Sequence, residues 1–369
     1  LSAGVAAAKS GVIPALSRSC DAPSGASQVA CATPSEKALG GRAVRTAIRA
    51  RFPLSPPNAE VELVRSKTLL PLVLVGLIVA GACAKEAAPR PAAVSFPLKV
   101  TAANGTVTIQ HVPSRIVSLS ATATEDLFAV GAGSQVVAVD SYSTYPANAP
   151  RTKLSAFTPN VEAIANYRPD LVVVSDDTNH IVSQLEKLSI PVLVEPVVVD
   201  LNGAYGQIEQ LAQATGHTAD GQRVVADMKN QIQSIVRSMP KPAKKLSVYH
   251  ELDQTYYSAT SHTFIGQIYR LLGIDDIADK AGRSGDYPQL SAEYIIASNP
   301  DLIVLADTVC CGQTAKTVAA RAGWRGLTAV KNGGVVPVDD SIASEWGPRI
   351  VLFVKAVAEA VKKVEGNPA

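Results

Sequence analysis

EAIANYRPDLVV (162–173) and EYIIASNPDLIV (293–304) are one pattern written twice. Both fit E-x-I-x-x-x-x-P-D-L-[VI]-V, with Glu162 and Glu293 standing 131 residues apart. In each copy a short helix must end before proline, because the residue preceding proline is pushed out of the helical region. A buried strand then opens at Asp-Leu. Two copies of a helix–proline–strand corner at this separation make the two halves of the chain structural equivalents.

The flanking sequence extends the plan in both directions. RIVSLS (115–120), VVAVD (136–140), LVVVS (171–175) and PVLVEP (191–196) read as strands, and LSVYHE (246–251), DLIVLAD (301–307) and VVPVD (335–339) repeat them. Helical stretches separate them, and strands alternating with helices imply a parallel sheet covered on both faces. A helix is expected over 123–131, with Thr122 and Glu125 spaced as a capping box. VTAANGTVTI (100–109) reads as a hairpin turning at Asn104-Gly105. Between the halves, Val224, Val225, Met228, Ile232 and Ile235 fall at helical spacing until Pro240, which reads as one long helix joining two lobes.

Charge and composition narrow the function. The net charge is +2 over 369 residues, aromatic residues make up 5%, and no basic stripe is present. Nucleic acid is therefore excluded as the main partner, because phosphate binding needs clustered Lys and Arg. Five cysteines make no disulfide framework. The only near match to a dinucleotide loop, Gly131-Ala132-Gly133, follows a helix where it should precede one, and no nucleophile elbow or zinc-protease motif occurs. A two-lobed enzyme is thus the least favoured class, and no cofactor is expected.

RSKTLLPLVLVGLIVAGAC (65–83) carries an address. Arg65 and Lys67 precede an apolar run of about a dozen residues, too short to span a bilayer, which needs ~20. Small residues then lead to Cys83, which resembles the acylated cysteine of a bacterial lipobox. Residues 61–83 are read as a lipoprotein signal peptide, 84–96 as an Ala/Pro-rich tether, and 1–60 as disordered or as an upstream non-native extension. The chain is expected to be exported and lipid-anchored on the outer face of the cytoplasmic membrane.

PSRIVSLSATATEDLFAVGAG (113–133), VDSYSTYP (139–146), PNVEAIANYRPDLVVV (159–174), YPQLSAEYIIASNPDLIVL (287–305), GWRGLTAVKNGGVVPVD (323–339) and GPRIVLFVKAVAEAV (347–361) occur in order over about residues 97–365. Together they resemble the binding proteins that serve cobalamin, haem and ferric-siderophore ABC importers. The resemblance implies two Rossmann-like α/β lobes, here 97–217 and 241–369, joined by a single long α-helix over 218–240, with a ligand cleft between them. It implies a monomer that captures a metal chelate, a ferric siderophore or a corrinoid, and delivers it to an ABC permease dimer with its ATPase. It also implies that Glu162 and Glu293, one per lobe, dock onto arginines of the permease; the alternative is a pair of solvated carboxylates at helix starts.

Ligand contacts are expected from loops that follow the strands. Tyr142, Phe157, Tyr256 and Tyr287 match aromatic positions of corrinoid-binding members, whereas Ser175 stands where one such member has tryptophan. Arg283 and Arg349 are candidates for bidentate contact with ligand carboxylates or phosphate, with a structural ion pair as the alternative for Arg349. A bare metal or other small solute is the alternative cargo, for which Asp176, Asp177 and His180, or His250 with Glu251, are the ligand candidates. Cys310 and Cys311 are a candidate vicinal disulfide, with two thiols or a soft-metal clamp as alternatives.

Overall fold

A computed structural model describes residues 95–240, 244–282 and 285–366. The expected signal peptide with Cys83, most of the tether and Arg283 lie outside the described residues.

The chain opens with antiparallel strands β1 (Leu98–Ala102) and β2 (Gly105–Ile109). Ala102 pairs with Gly105, so the turn sits at Ala103-Asn104, one residue earlier than the Asn-Gly signal suggests. Gly105 follows at φ +106°, a conformation glycine adopts without a Cβ penalty. The reason is tertiary. Asn104 Nδ2 donates to the Val192 carbonyl at 3.0 Å and its Oδ1 accepts from Val194 N–H at 3.2 Å. The asparagine thereby pins the hairpin to an edge of the first sheet.

That sheet is built from β3 (Ile116–Leu119), α1 (Ala121–Ala129), β4 (Val136–Val139), α2 (Val161–Ala165), β5 (Leu171–Val174), α3 (Ile181–Glu186) and β6 (Val192–Val194). Its four parallel strands lie in the order β4-β3-β5-β6. Helix α1 starts two residues before the expected position, and its cap is Ser120, not Thr122. Ser120 is extended, at φ −146° and ψ 124°, and its hydroxyl accepts from Ala123 N–H. Glu125 makes no capping box; it is buried and turned towards the other half of the chain.

Helix α4 (Leu201–Ala214) leads into α5 (Thr218–Arg237), the expected linker. The linker ends at Arg237, ahead of Pro240, and buries Val225, Met228 and Ile232 at the predicted spacing. Each such side chain contributes roughly 1.5–3 kcal/mol on burial.

The second half comprises β7 (Ser247–Glu251), α6 (Phe264–Leu271), β8 (Asp275–Asp276), α7 (Ala292–Ser298), β9 (Leu302–Leu305), α8 (Thr308–Cys311), α9 (Ala315–Ala320), α10 (Thr328–Lys331), β10 (Val335–Pro337), α11 (Asp340–Ser344) and α12 (Ile350–Gly366). Its strands, all parallel, lie in the order β8-β7-β9-β10. In both sheets the first strand of the lobe has the second on one side and the third and fourth on the other. The sequence repeat is therefore a repeat of topology. The two-residue β8 carries no alternating signal and was not expected.

The repeated Pro-Asp corner has a mechanical role. Asp170 accepts from Ser114 N–H and hydroxyl and from Arg115 N–H, at 2.8–2.9 Å. Asp301 accepts in the same way from Ser247 N–H and hydroxyl, and from Lys244 Nζ at 2.7 Å. Each aspartate ties the start of the third strand to the start of the first. Ile164 and Ile295, the isoleucines of the motif, are both fully buried.

One apolar core runs through both halves. It holds Ile116 and Leu171 of the first sheet, Val248 and Leu302 of the second, Met228 of α5, and Phe353 and Val357 of α12. The outer faces pack separately, around Val117, Leu119 and Val172 in one lobe and Tyr249, Ile303 and Trp324 in the other.

Candidate functional site

Parallel sheets bind ligands outside the carboxyl ends of their strands, where neighbouring connections diverge. In this chain those ends carry the loops after β4, β5 and β6 in one lobe and after β7, β9 and β10 in the other. Two contacts join the halves of the chain here. Arg349, which follows β10, lies with its guanidinium 3.9 Å from the ring centroid of Tyr145, which follows β4. Trp346 Nε1 donates to Gln207 Oε1 of α4 at 2.7 Å.

The exposed large apolar side chains are unevenly placed. Tyr142, Tyr145, Phe157, Val199, Tyr257 and Val309 all stand in segments that follow a strand of one of the two parallel sheets, while Val112, after the hairpin strand β2, and Leu188, Leu271 and Leu352 lie elsewhere. Tyr142 and Phe157, both expected, meet edge to face with centroids 5.1 Å apart and an interplanar angle of 88°. They hold each other upright as a wall that stays 43% and 38% exposed. Tyr256 is turned inward: it stacks on Trp324 at 5.8 Å and lies 5.7 Å from the Arg321 guanidinium. Its neighbour Tyr257 faces out instead. Tyr287 is half-buried against the shared core, and burial with the nearby Asp286 charge pushes its phenol upward. Sequence reasoning names one tyrosine of each pair, Tyr142 and Tyr256, whereas Tyr145 is as exposed as Tyr142, and Tyr257 is exposed where Tyr256 is not.

The charged groups at the rim are engaged with one another. Arg349 donates through its backbone N–H to Glu125 Oε1 at 2.6 Å and through Nε to Glu125 Oε2 at 2.5 Å. Its terminal nitrogens reach Ser341 Oγ and Glu345 Oε2, both at 3.1 Å. Gly347 permits this approach, because a Cβ there would lie 2.8 Å from Glu125 Oε1. Arg321 makes a two-pronged contact with Glu251, at 2.5 and 2.6 Å, beneath β7. Beside that pair burial pushes the Asp307 carboxyl up to about 8, with the Glu251 charge adding to the effect.

Of the bare-metal candidates, Asp176, Asp177 and His180 are engaged within their own segment, with His180 Nδ1 3.8 Å from Asp177 Oδ2. Asp176 accepts from Thr178, Asp177 accepts from Val182 N–H at 2.9 Å, and His180 is exposed. His250 is buried and hydrogen-bonded through Nδ1 to Tyr269 Oη at 2.6 Å, and burial pushes its imidazole down to about 3. Among the described residues no three His, Cys, Asp or Glu side chains converge to hold an ion. Cys310 and Cys311 lie on the four-residue α8, with their Sγ atoms 3.0 Å apart. Asp340 receives the N–H groups of Val309 and Cys310 at 2.9 and 2.8 Å, which orients this short helix on the rim.

Glu162 and Glu293 occupy the same place in their lobes. Each is exposed at the second position of a short helix, capped by Asn160 in α2 and by Ser291 in α7. A surface groove of about 570 Å³ lined by Asn104, His111, Asp170 and Leu188 lies at the amino ends of the strands, away from all of these residues.

Residues 116–342 match the family model described as periplasmic binding protein. An ABC transporter substrate-binding lipoprotein of Bacillus subtilis, YvrC, is 30% identical over 305 residues, 79% of this chain and 95% of that protein. A cobalamin-binding protein of Halobacterium salinarum is 30% identical over 308 residues, 78% of this chain and 83% of that protein. Among solved structures, the periplasmic heme-binding protein RhuT of Roseiflexus sp. RS-1 superposes with a TM-score of 0.58 at 23% identity, covering 69% of this chain and 99% of that one. At that identity the likeness speaks to the fold alone.

Proposed function

This chain belongs to the periplasmic binding protein family, and on that premise we propose that it binds a metal chelate, a corrinoid, haem or ferric siderophore, in the crevice between its lobes. The observation that carries the reading is the gathering of exposed apolar side chains on the loops after the strands, with the Tyr142–Phe157 wall among them. A broad, partly apolar ligand would cover that surface, and aromatic faces suit a planar macrocycle. The relatives named for ABC transport and for cobalamin support the same class of cargo.

In this reading Glu162 and Glu293 dock onto the two halves of a permease dimer, their equivalent positions matching a two-fold partner through charge-assisted hydrogen bonds. The permease and its ATPase receive the cargo. Cys83 would carry the lipid anchor, keeping the protein outside the cytoplasmic membrane. Tyr145 and Tyr257 join Tyr142, Phe157 and Tyr287 as ligand contacts, and Arg283 keeps the ligand role that its place in the sequence suggests. Tyr256 and Arg349 act as supports behind the surface. Cys310 and Cys311 retain the vicinal disulfide as their oxidised form, with Asp340 holding their helix at the rim. The family and the named relatives are binding proteins, and catalysis has no part in the reading.

Equilibrium dialysis of the full chain against aquocobalamin, cobinamide, haem and a panel of ferric siderophores tests it. Saturable one-to-one binding of a chelate at micromolar affinity or tighter is expected. Binding of free zinc or manganese with no response to any chelate would sink it.

A further inference from the structure

Several acids of the described residues crowd around Arg349 in the seam between the lobes. Glu125 and Asp126 come from α1, Glu195 from the end of β6, Glu345 and Asp339 from the two ends of α11, and Arg349 from the start of α12. Asp126 and Glu195 are 1% and 4% exposed, and each has a buried carboxyl oxygen with no hydrogen-bond partner. Glu125 and Glu345 share the Arg349 guanidinium, whose other face lies on Tyr145.

We propose that this cluster is a proton-loaded latch between the lobes: protons held on Asp126, Glu195 and Glu345 let the seam close around the Glu125–Arg349 pair, and their loss loosens it. The chemistry follows from burial. An ionised carboxylate without a partner in a dry seam is far more costly than a neutral acid. Glu125 and Glu345 already share the one guanidinium, so ionised Asp126 and Glu195 beside them would be uncompensated charge unless they keep their protons. Burial is the first cause at each site: it pushes Glu195 up to about 8, pushes Glu345 up to about 8 with help from Glu125, and holds Asp126 well above the ordinary range alongside Glu125, Glu195 and Glu345. Glu345 also feels Asp339, which raises it, and Arg349, which lowers it.

The sign is fixed by linkage. A closed seam that raises a carboxyl's affinity for its proton is favoured at low pH. For the two glutamates that advantage declines as pH rises from their ordinary 4.5 and is gone above about 8. Separating the lobes would hydrate the acids and release their protons.

Trp346 lies in the seam and reports on it, while Trp324 is buried in the outer core of the second lobe. The test follows tryptophan emission of the full chain from mildly acidic to mildly alkaline pH, with Trp346→Phe identifying the seam component and far-UV circular dichroism following helix content. The unaltered chain is expected to show a red shift of the Trp346 component as pH rises between about 4.5 and about 8 while helix content holds. In the chain carrying Asp126→Asn, Glu195→Gln and Glu345→Gln, whose amides mimic the neutral acids, that shift should be lost and the seam should stay closed. A flat response in the unaltered chain overturns the latch. So does a shift that survives the three substitutions, or one that coincides with loss of helix. No ligand enters the experiment, so its failure leaves the binding reading untouched.

Discussion

The two lobes share a topology and differ at the same point of their central strands. Ladder partners align them: Ile116 pairs with Leu171 as Val248 pairs with Leu302, so Ser118 corresponds to His250 and Leu119 to Glu251. On its outer face the first lobe places an apolar leucine in an apolar core. The second places a fully buried carboxylate, matched by Arg321 and screened by Tyr256 and Trp324. On the inner side a hydroxyl network, Thr124 to Ser118 at 2.9 Å, stands where the second lobe has a neutral histidine bonded to Tyr269. The fold thus retains the corners and latches of its repeat while the strand interiors diverge. A buried ion pair can replace a leucine provided that both partners arrive together.

Removing one partner should have the largest effect. Glu251→Ala leaves Arg321 buried without its carboxylate and should destabilise the chain by about 3–5 kcal/mol in urea unfolding. Joint replacement by Glu251→Leu and Arg321→Met should recover most of that loss, and a double variant as unstable as the single one would break the comparison. The matching change in the first lobe, Leu119→Ala, should cost about 3 kcal/mol through lost burial and a residual cavity.

The aromatic side chains divide in the same manner. Tyr142→Ala or Phe157→Ala should weaken chelate binding about tenfold, or about 1.4 kcal/mol, with little change in the urea midpoint. Tyr256→Ala should do the reverse, lowering stability more than affinity, because it stacks on Trp324. Equal effects on affinity from all three would show that the crevice is lined differently. The smallest expected effect is at the corners, where Asp170→Asn and Asp301→Asn should each cost about 1 kcal/mol as carboxylate hydrogen bonds weaken. For Asp170, burial alone would raise the carboxyl, but hydrogen bonds from Ser114 and Arg115 more than offset it and hold it below 3.8. Its contribution is therefore present above that value and lost as pH falls below it, so Asp170→Asn should blunt the acid limb of a stability profile.

Much of this architecture was legible in local sequence. Strand positions, the linker helix and the Pro-Asp corners carry period-two, period-3.6 and proline signals that depend on neighbours a few residues away. The misreadings were matters of one or two residues: Ser120 in place of Thr122 as a cap, and Ala103-Asn104 in place of Asn104-Gly105 as a turn. A cap is decided by which hydroxyl the strand leaves extended, and the turn by a hydrogen bond to β6 almost 90 residues away.

The candidate site divides along the same line. The sequence by itself determined that the chain is a duplicated α/β protein, which loops follow its strands, and that Glu162 and Glu293 hold matching places, because each rests on a repeated local pattern. Only the tertiary structure decided that Arg349 closes on Glu125, 224 residues away, that Tyr257 faces outward where Tyr256 faces in, and that acids from three segments meet in one seam. These are outcomes of packing between segments distant in the chain, and a buried charge finds its partner only when the whole fold has brought the two together.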